Sequence, residues 1–213
     1  EGGMSDAMLD RLTLTAERID GIVTSVRQVA ALPDPIGTVT KMETRPNGLI
    51  IGKRRVPLGV IAIIFEARPN VTVDAAVLCI KSGNACILRG GSESIHSNMV
   101  LVSVLKEGLS RAGLNADGIG LLENTDRALV KELLTLRDYI DMAIPRGGAG
   151  LIRMVVTTAT VPCIETGSGV CHVYVDTDAD LDMAVRIVEN AKASRPSTCN
   201  AMETLLVHPD VIR

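Results

Sequence analysis

Hydrophobic positions in this chain follow two rhythms that take turns. Val60 to Phe65 (Val-Ile-Ala-Ile-Ile-Phe) is apolar at every position, as a parallel strand buried on both faces is. Ala85 to Arg89 repeats that reading, and shorter runs at 119–123, 139–144, 161–165, 171–175 and 203–208 extend it. Between them the apolar residues recur at three- and four-residue spacing, which predicts helices over 71–81, 94–112, 126–136, 151–158 and 180–192. Gly83 and Gly113 close the first two, Thr125 is the expected cap of the third, and acidic residues fill the first turn of the last. Strand–helix alternation of this kind builds a parallel sheet covered on both faces. The expected fold class is α/β, doubly wound, without internal repeats.

Ahead of residue 56 the pattern differs. Ile19, Ile22, Val23, Val26, Val29 and Ala30 form one apolar face, predicting a helix across 4–31 that Gly21 weakens by about 1 kcal/mol relative to alanine. Pro33-Asp34-Pro35-Ile36-Gly37 ends it, because proline removes donors and fixes φ. Residues 38–56 read as two short strands around Arg45-Pro46-Asn47-Gly48, an Asn-Gly turn signal. From the residues alone this is an ordinary surface hairpin.

Composition narrows the classes. The 213 residues are 46% hydrophobic and 22% charged, which suits a folded globular chain with a sizeable core. A net charge of −3 and three aromatic residues leave no basic, ring-bearing surface for nucleic acid. No apolar run approaches the length of a membrane span, and the first residues carry no basic-then-apolar leader. Five cysteines without framework spacing fit a reducing, cytoplasmic setting. The chain stops at Arg213, just past a strand-like run and a turn, which reads as an interruption.

In open α/β sheets ligands bind beyond the carboxyl ends of the strands. Three such ends join an arginine to small or donor residues: Glu66-Ala67-Arg68-Pro69-Asn70, Arg89-Gly90-Gly91-Ser92 and Arg146-Gly147-Gly148. Taken singly, each is a common turn with a solvated charge. Together on one edge they point to an anionic nucleotide or substrate, since helix N-termini and guanidinium groups both favour phosphate. The G-x-G-x-x-G fingerprint is absent between any strand and helix. No metal-ligand spacing occurs, and His96, His172 and His208 read as structural. Cys199, between small polar residues and just past Arg195-Pro196, has two readings: a buried small hydrophobe, or a loop-borne thiolate assisted by nearby dipoles and cations.

These blocks add up to a resemblance. Val56-Pro57-Leu58-Gly59-Val60, Glu66 to Asp74, Lys81-Ser82-Gly83-Asn84-Ala85, Ile87 to Gly91, Ile144 to Gly150 and Arg195 to Asn200 resemble the γ-glutamyl phosphate reductases. That family is the proline-biosynthesis branch of the aldehyde dehydrogenase superfamily, and the wording from Arg68 to Asp74 is the single-function bacterial type. The resemblance implies NADPH-dependent reduction of L-glutamyl 5-phosphate to L-glutamate 5-semialdehyde and phosphate. It implies Cys199 as the nucleophile that forms a thioester and Asn70 as an oxyanion donor. It also places NADP(H) near Arg89, Gly90, Gly91 and Ser92, with Arg146, Gly147 and Gly148 close by. Glu165 matches the water-activating glutamate of aldehyde-oxidising relatives, a role that an acyl-phosphate reductase does not need. Residues 38–56 resemble an oligomerisation hairpin, so a homo-oligomer is implied, with the preceding glutamate kinase as a further partner. The expected division is an NADP-binding domain over 1–198 and the start of a truncated catalytic domain over 199–213. Competing expectations are an aldehyde dehydrogenase of other specificity and a non-catalytic nucleotide-binding or oligomerising fragment.

Overall fold

In a computed structural model, which describes residues 4, 6–165, 167, 169–196 and 198–212, the two rhythms become alternating strands and helices. Two helices come first, α1 (Asp6–Leu12) and α2 (Ala16–Ala31), followed by a hairpin of β1 (Val39–Thr44) and β2 (Ile50–Arg54). Then follow β3 (Val60–Phe65), α3 (Pro69–Lys81), β4 (Ala85–Arg89), α4 (Ile95–Arg111), β5 (Ile119–Leu121), α5 (Arg127–Leu133), β6 (Met142–Arg146) and α6 (Ala149–Thr158). The last elements are β7 (Cys171–Val175), α7 (Leu181–Ala193) and β8 (Met202–Val207). Two compact units result, Glu1–Thr166 and Gly167–Arg213.

The first unit is built on a four-stranded parallel sheet of order β5-β4-β3-β6. Successive side chains of β3 point to opposite faces. Ile61, Ile63 and Phe65 join Ala76, Cys79 and Val102 from α3 and α4, whereas Ala62 and Ile64 join Val130, Leu133 and Val155 from α5 and α6. Both faces are therefore covered, which is why every residue of this strand had to be apolar. The order runs outward from β3 to β4 and β5, then returns to β6 on the other side of β3. That reversal is a topological switch point, where the carboxyl edge of such a sheet opens into a crevice.

Where sequence and structure part, local chemistry explains the difference. The helix expected over 4–31 is two helices, because the Thr15 hydroxyl accepts the Arg18 backbone N–H at 3.2 Å and starts α2 afresh. Asp126, not Thr125, caps α5, accepting the Ala128 N–H at 2.9 Å. That helix ends at Leu133 rather than 136. Leu134 and Ile140 stay buried in the connecting turns, so their apolar character reflects packing and not a strand from 139. The expected strand at 161–165 is a single bridge between Ala143 and Cys163, flanked by Ala143 N–H to Pro162 O at 2.8 Å and Ile164 N–H to Ala143 O at 3.0 Å. Pro162 has no N–H with which to extend a ladder.

The hairpin forms as expected, antiparallel and largely exposed. Its turn uses one left-handed residue, Gly48 at φ +84°, while Asn47 accepts the Leu49 N–H through its side chain at 3.1 Å. Beyond it, Asn84 Oδ1 accepts the N–H groups of Leu58 and Gly59 at 2.6 and 2.9 Å, fixing how the chain enters β3. In the second unit, β7 and β8 pair in parallel with α7 as the crossover. Asp180 caps α7 by accepting the Met183 N–H at 3.1 Å. Among the described residues, no helix is long and apolar enough to cross a membrane.

Candidate functional site

Strand register decides which chemistry meets at the sheet edge. Ile64 sits opposite Arg89 and Phe65 opposite Arg146, so the ends of β4, β3 and β6 finish level with one another. The three arginine-bearing turns picked from the sequence thus lie side by side. At this edge a cleft of about 720 Å³ opens in the first unit. It is lined by Ile64 to Arg68 after β3, by Arg89, Gly91, Ser92 and Glu93 after β4, by Thr125, Arg127, Val130 and Lys131, and by Gly150, Leu151 and Met154 of α6, with Met8 and Arg11 from α1.

The turn after β4 is held from below by a buried polar chain. Thr72 Oγ1 donates to Asn98 Oδ1 at 2.9 Å, Asn98 Nδ2 to Ser94 Oγ at 3.1 Å, and Ser94 Oγ to the Gly91 carbonyl at 3.2 Å. Thr72 and Asn98 are fully buried, so each hydrogen bond replaces one lost to water. A β-carbon on Gly90 would collide with Asn98 and the Phe65 ring, and one on Gly91 would press on the Ala67 backbone. Glycine here lets backbone amides approach a ligand closely, the role that glycine plays in nucleotide-binding turns. A nicotinamide dinucleotide fits this edge: a cleft of suitable size, glycine-lined, with five cationic side chains against two carboxylates.

Arg89 is held at two points, donating to Gly90 O at 2.8 Å and to Thr125 O at 2.9 Å, while its buried Nε has no partner among the described residues. Burial first, and the charge of Arg127 second, lower its pKa from the ordinary value; Glu93 opposes them. At the other side of β3 the start of α6 is already engaged. The Gly148 N–H donates to Glu66 Oε2 at 3.0 Å, and a β-carbon on Gly147 would meet the Glu66 carboxyl at 2.7 Å. A carboxylate therefore sits on the amide that sequence reasoning offered to phosphate.

Of the residues singled out from the sequence, Arg89, Gly91 and Ser92 line the cleft, and Gly90 is buried against Asn98 and Phe65. From the third turn the lining comes from Gly150 onward rather than from Arg146, Gly147 or Gly148. Asn70 lies in the first turn of α3, exposed, its amide donating to Asp74 Oδ2 at 3.2 Å. Cys199 belongs to the second unit, exposed in a turn closed by Thr198 Oγ1 to Arg195 O at 2.9 Å and Ala201 N–H to Thr198 O at 3.1 Å. The reading of it as a buried hydrophobe does not hold. Ser197, in the same block, lies outside the described residues. Glu165 is exposed, next to the bridge at Cys163. Two of the histidines serve locally: His172 Nδ1 lies 2.8 Å from Val170 O, and His208 accepts the Asp210 N–H.

Sequence reasoning missed Glu66 as a partner of α6, and it missed the Thr125–Lys131 side of the cleft. The second could have been found, since Asn124 to Arg127 follow β5 on the same edge and carry the arginine that marks the other three turns.

The chain has relatives among known proteins. The chain matches the aldehyde dehydrogenase family over residues 10–213 and belongs to it, and the fold of this family binds a nicotinamide cofactor. A Moorella thermoacetica protein named gamma-glutamyl phosphate reductase is 63% identical over 211 residues, covering 99% of this chain and 50% of that protein. An Enterococcus faecalis protein of the same name is 58% identical over 209 residues, covering 98% of this chain and 50% of its own length. The crystal structure of gamma-glutamyl phosphate reductase from Thermotoga maritima superposes with a TM-score of 0.88 at 47% identity, over 98% of this chain and 50% of that one. The chain spans about half the length of the curated relatives it matches.

Proposed function

We propose that this chain carries the nucleotide-binding part and the nucleophile of an NADPH-dependent reductase of L-glutamyl 5-phosphate, acting in proline biosynthesis in the cytoplasm. The observation that carries the reading is the 63% identity, across nearly the whole chain, to a protein of that name. The cation-lined cleft and the exposed Cys199 fit the chemistry that the name requires.

The Cys199 thiolate attacks the acyl carbon of the mixed anhydride, and the tetrahedral oxyanion collapses by expelling inorganic phosphate. An S-glutamyl thioester remains. An amide carries two N–H donors, so Asn70 has one to offer the oxyanion while the other holds Asp74. Loss of one such donor typically costs about 10²–10³ in turnover. A bound reduced nicotinamide would supply the hydride, and the Cys199 sulfur would then leave as the thiolate and release the semialdehyde. Arg89, Gly90, Gly91 and Ser92 hold the nucleotide, with the Arg146–Gly148 turn beside them, and Arg89 offers a bidentate partner for its phosphate. No water is required, so Glu165 has no part as a base. The exposed hairpin of β1 and β2 is the surface on which copies of the chain associate. A functional division into residues 1–198 and 199–213 goes with this reading, as does a working contact with the glutamate kinase that supplies the acyl phosphate.

The reaction is tested in reverse, by following NADP reduction with the semialdehyde and phosphate. Turnover that requires phosphate and vanishes in Cys199→Ala supports the proposal. Phosphate-independent turnover that requires Glu165 would mark an oxidising aldehyde dehydrogenase instead. Because the chain spans half of its relatives, NADPH binding without turnover would assign it the nucleotide-binding role alone.

A further inference from the structure

Two of the five cysteines meet in the second unit. The Cys171 thiol donates to the Cys199 carbonyl oxygen across 3.6 Å. A carbonyl oxygen lies roughly 2.4 Å from its own Cα, so the Cα of Cys199 is within about 6 Å of the Cys171 sulfur. Gly169 lies against the same pair: a β-carbon there would meet the Cys199 oxygen at 2.7 Å and the Cys171 sulfur at 3.9 Å. Glycine lets the segment leading into β7 lie this close to the turn that carries Cys199.

Cys171 opens β7 where the ladder is irregular. It pairs with Met202, and the next pair, His172 with Thr204, skips a residue of β8. Irregularities of this kind re-aim a side chain. Cys171 is half-buried, whereas Cys199 is exposed. The bonds that close the Cys199 turn, Thr198 Oγ1 to Arg195 O and Ala201 N–H to Thr198 O, run within it. A disulfide needs β-carbons about 3.5–4.5 Å apart, so bridging asks for a small shift of an exposed turn and leaves the packed core alone.

We propose that Cys171 is the resolving thiol of Cys199: when a peroxide oxidises Cys199, Cys171 closes a disulfide on it and keeps it in a form that a dithiol restores. The pairing goes beyond the reductase reading and rests on it only for the consequence that turnover stops while the bond persists. In the first step the Cys199 thiolate attacks a peroxide oxygen. The O–O bond breaks, an S–O bond forms, sulfur gives up two electrons, and the departing hydroxide is protonated to water. In the second step the Cys171 thiol loses its proton and attacks the sulfenic sulfur. The S–S bond forms, the S–O bond breaks, and the departing hydroxide takes up that proton as water. A dithiol reverses the bond by exchange and is itself oxidised to a disulfide. Without a resolving neighbour, sulfenic acid goes on to sulfinic and sulfonic acids, which thiols do not reduce. In a reducing setting such a bond is transient, as redox-sensing disulfides are.

The test exposes the reduced chain to a slight excess of hydrogen peroxide, blocks the remaining thiols with N-ethylmaleimide and maps tryptic peptides by mass. The peptides carrying Cys171 and Cys199 are expected to be joined, with fragment spectra separating Cys171 from Cys163 on the same peptide. Dithiothreitol should then restore the Cys199 thiol, counted by a second alkylation. In Cys171→Ser, whose hydroxyl keeps a donor for the Cys199 carbonyl, the same dose should drive Cys199 to sulfinic and sulfonic acid. Dithiothreitol should recover at least about tenfold less Cys199 thiol there than in the unaltered chain. Absence of the Cys171–Cys199 link in the unaltered chain overturns the inference whatever the variant does. A link from Cys199 to another cysteine or between copies overturns it too, as does equal recovery of Cys199 in the variant. None of these readouts needs turnover, so a chain that forms the bond yet reduces no substrate leaves the inference standing while the reductase reading fails by itself.

Discussion

Two strands of this protein look alike on paper and end in opposite circumstances. Val60–Phe65 and Met202–Val207 are both six-residue runs dominated by apolar side chains. The first, β3, has a neighbour on each side and helices over both faces, so five of its six residues are buried. The second, β8, pairs with β7 in a two-stranded sheet, and Leu205 and Leu206 are 43% and 49% exposed. The helices repeat the contrast. Thr72, Val73, Ala76 and Cys79 of α3 are buried, whereas α7 has no buried residue and exposes Met183, Val185 and Ile187. A run of apolar residues says that a strand has something to cover; it does not say what covers it.

The contrast also divides the chemistry, since the first unit holds the cleft and the second the exposed thiol. The largest effect should come from separating them. Cys199→Ser is expected to lower turnover by at least about 10³-fold while NADPH affinity in calorimetry stays unchanged; a parallel loss of binding would undo the division of roles. In the unaltered protein iodoacetamide should mark Cys199 first. Cys79 and Cys86 are buried, and the hydrogen bond from Cys79, followed by burial, raises the Cys86 pKa. Peptide mapping after a short exposure checks the order.

Stability should follow burial next. Ile63→Ala, in the covered face of β3, removes a packed side chain and should cost about 2–5 kcal/mol in urea unfolding. Asn98→Ala takes away the middle of the Thr72–Asn98–Ser94 chain and leaves the Thr72 hydroxyl buried without its acceptor, about 1–3 kcal/mol, with weaker nucleotide binding because the Gly91 turn loses its support. Leu206→Ala, on the exposed side of β8, should change stability by no more than about 0.5 kcal/mol. An equal cost for Ile63→Ala and Leu206→Ala would erase the contrast between the two strands.

The difference also measures how far the sequence could be read. The β3 and β4 runs are legible to the residue, because a strand covered on both faces leaves no room for a polar side chain before its carboxyl end. Their neighbours are less so. Leu134 and Ile140 are as apolar as any strand residue but pack from turns, and Pro162 turns an apparent strand into one bridge. The break at Thr15 and the cap at Asp126 depend on which of two adjacent polar side chains reaches a free N–H, a choice made by backbone geometry. At the site, strand-end arginines were visible as a pattern, and the register sets the three strand ends level. The Glu66 carboxylate on the Gly148 amide was not visible, since those residues are 82 positions apart.

By itself, then, the sequence determined the alternation of strands and helices, the apolar interior of the sheet, and the small set of turns able to carry chemistry. Those properties are local, set by periodicity, by glycine and proline, and by residue type. Only the tertiary structure decided which turn faces which: that Arg89 is tied to Thr125 and feels the charge of Arg127, that α6 begins on a carboxylate, and that β3 is covered while much of β8 is not. Such pairings depend on the order and register of strands, which bring together residues whose separation along the chain carries no local signal.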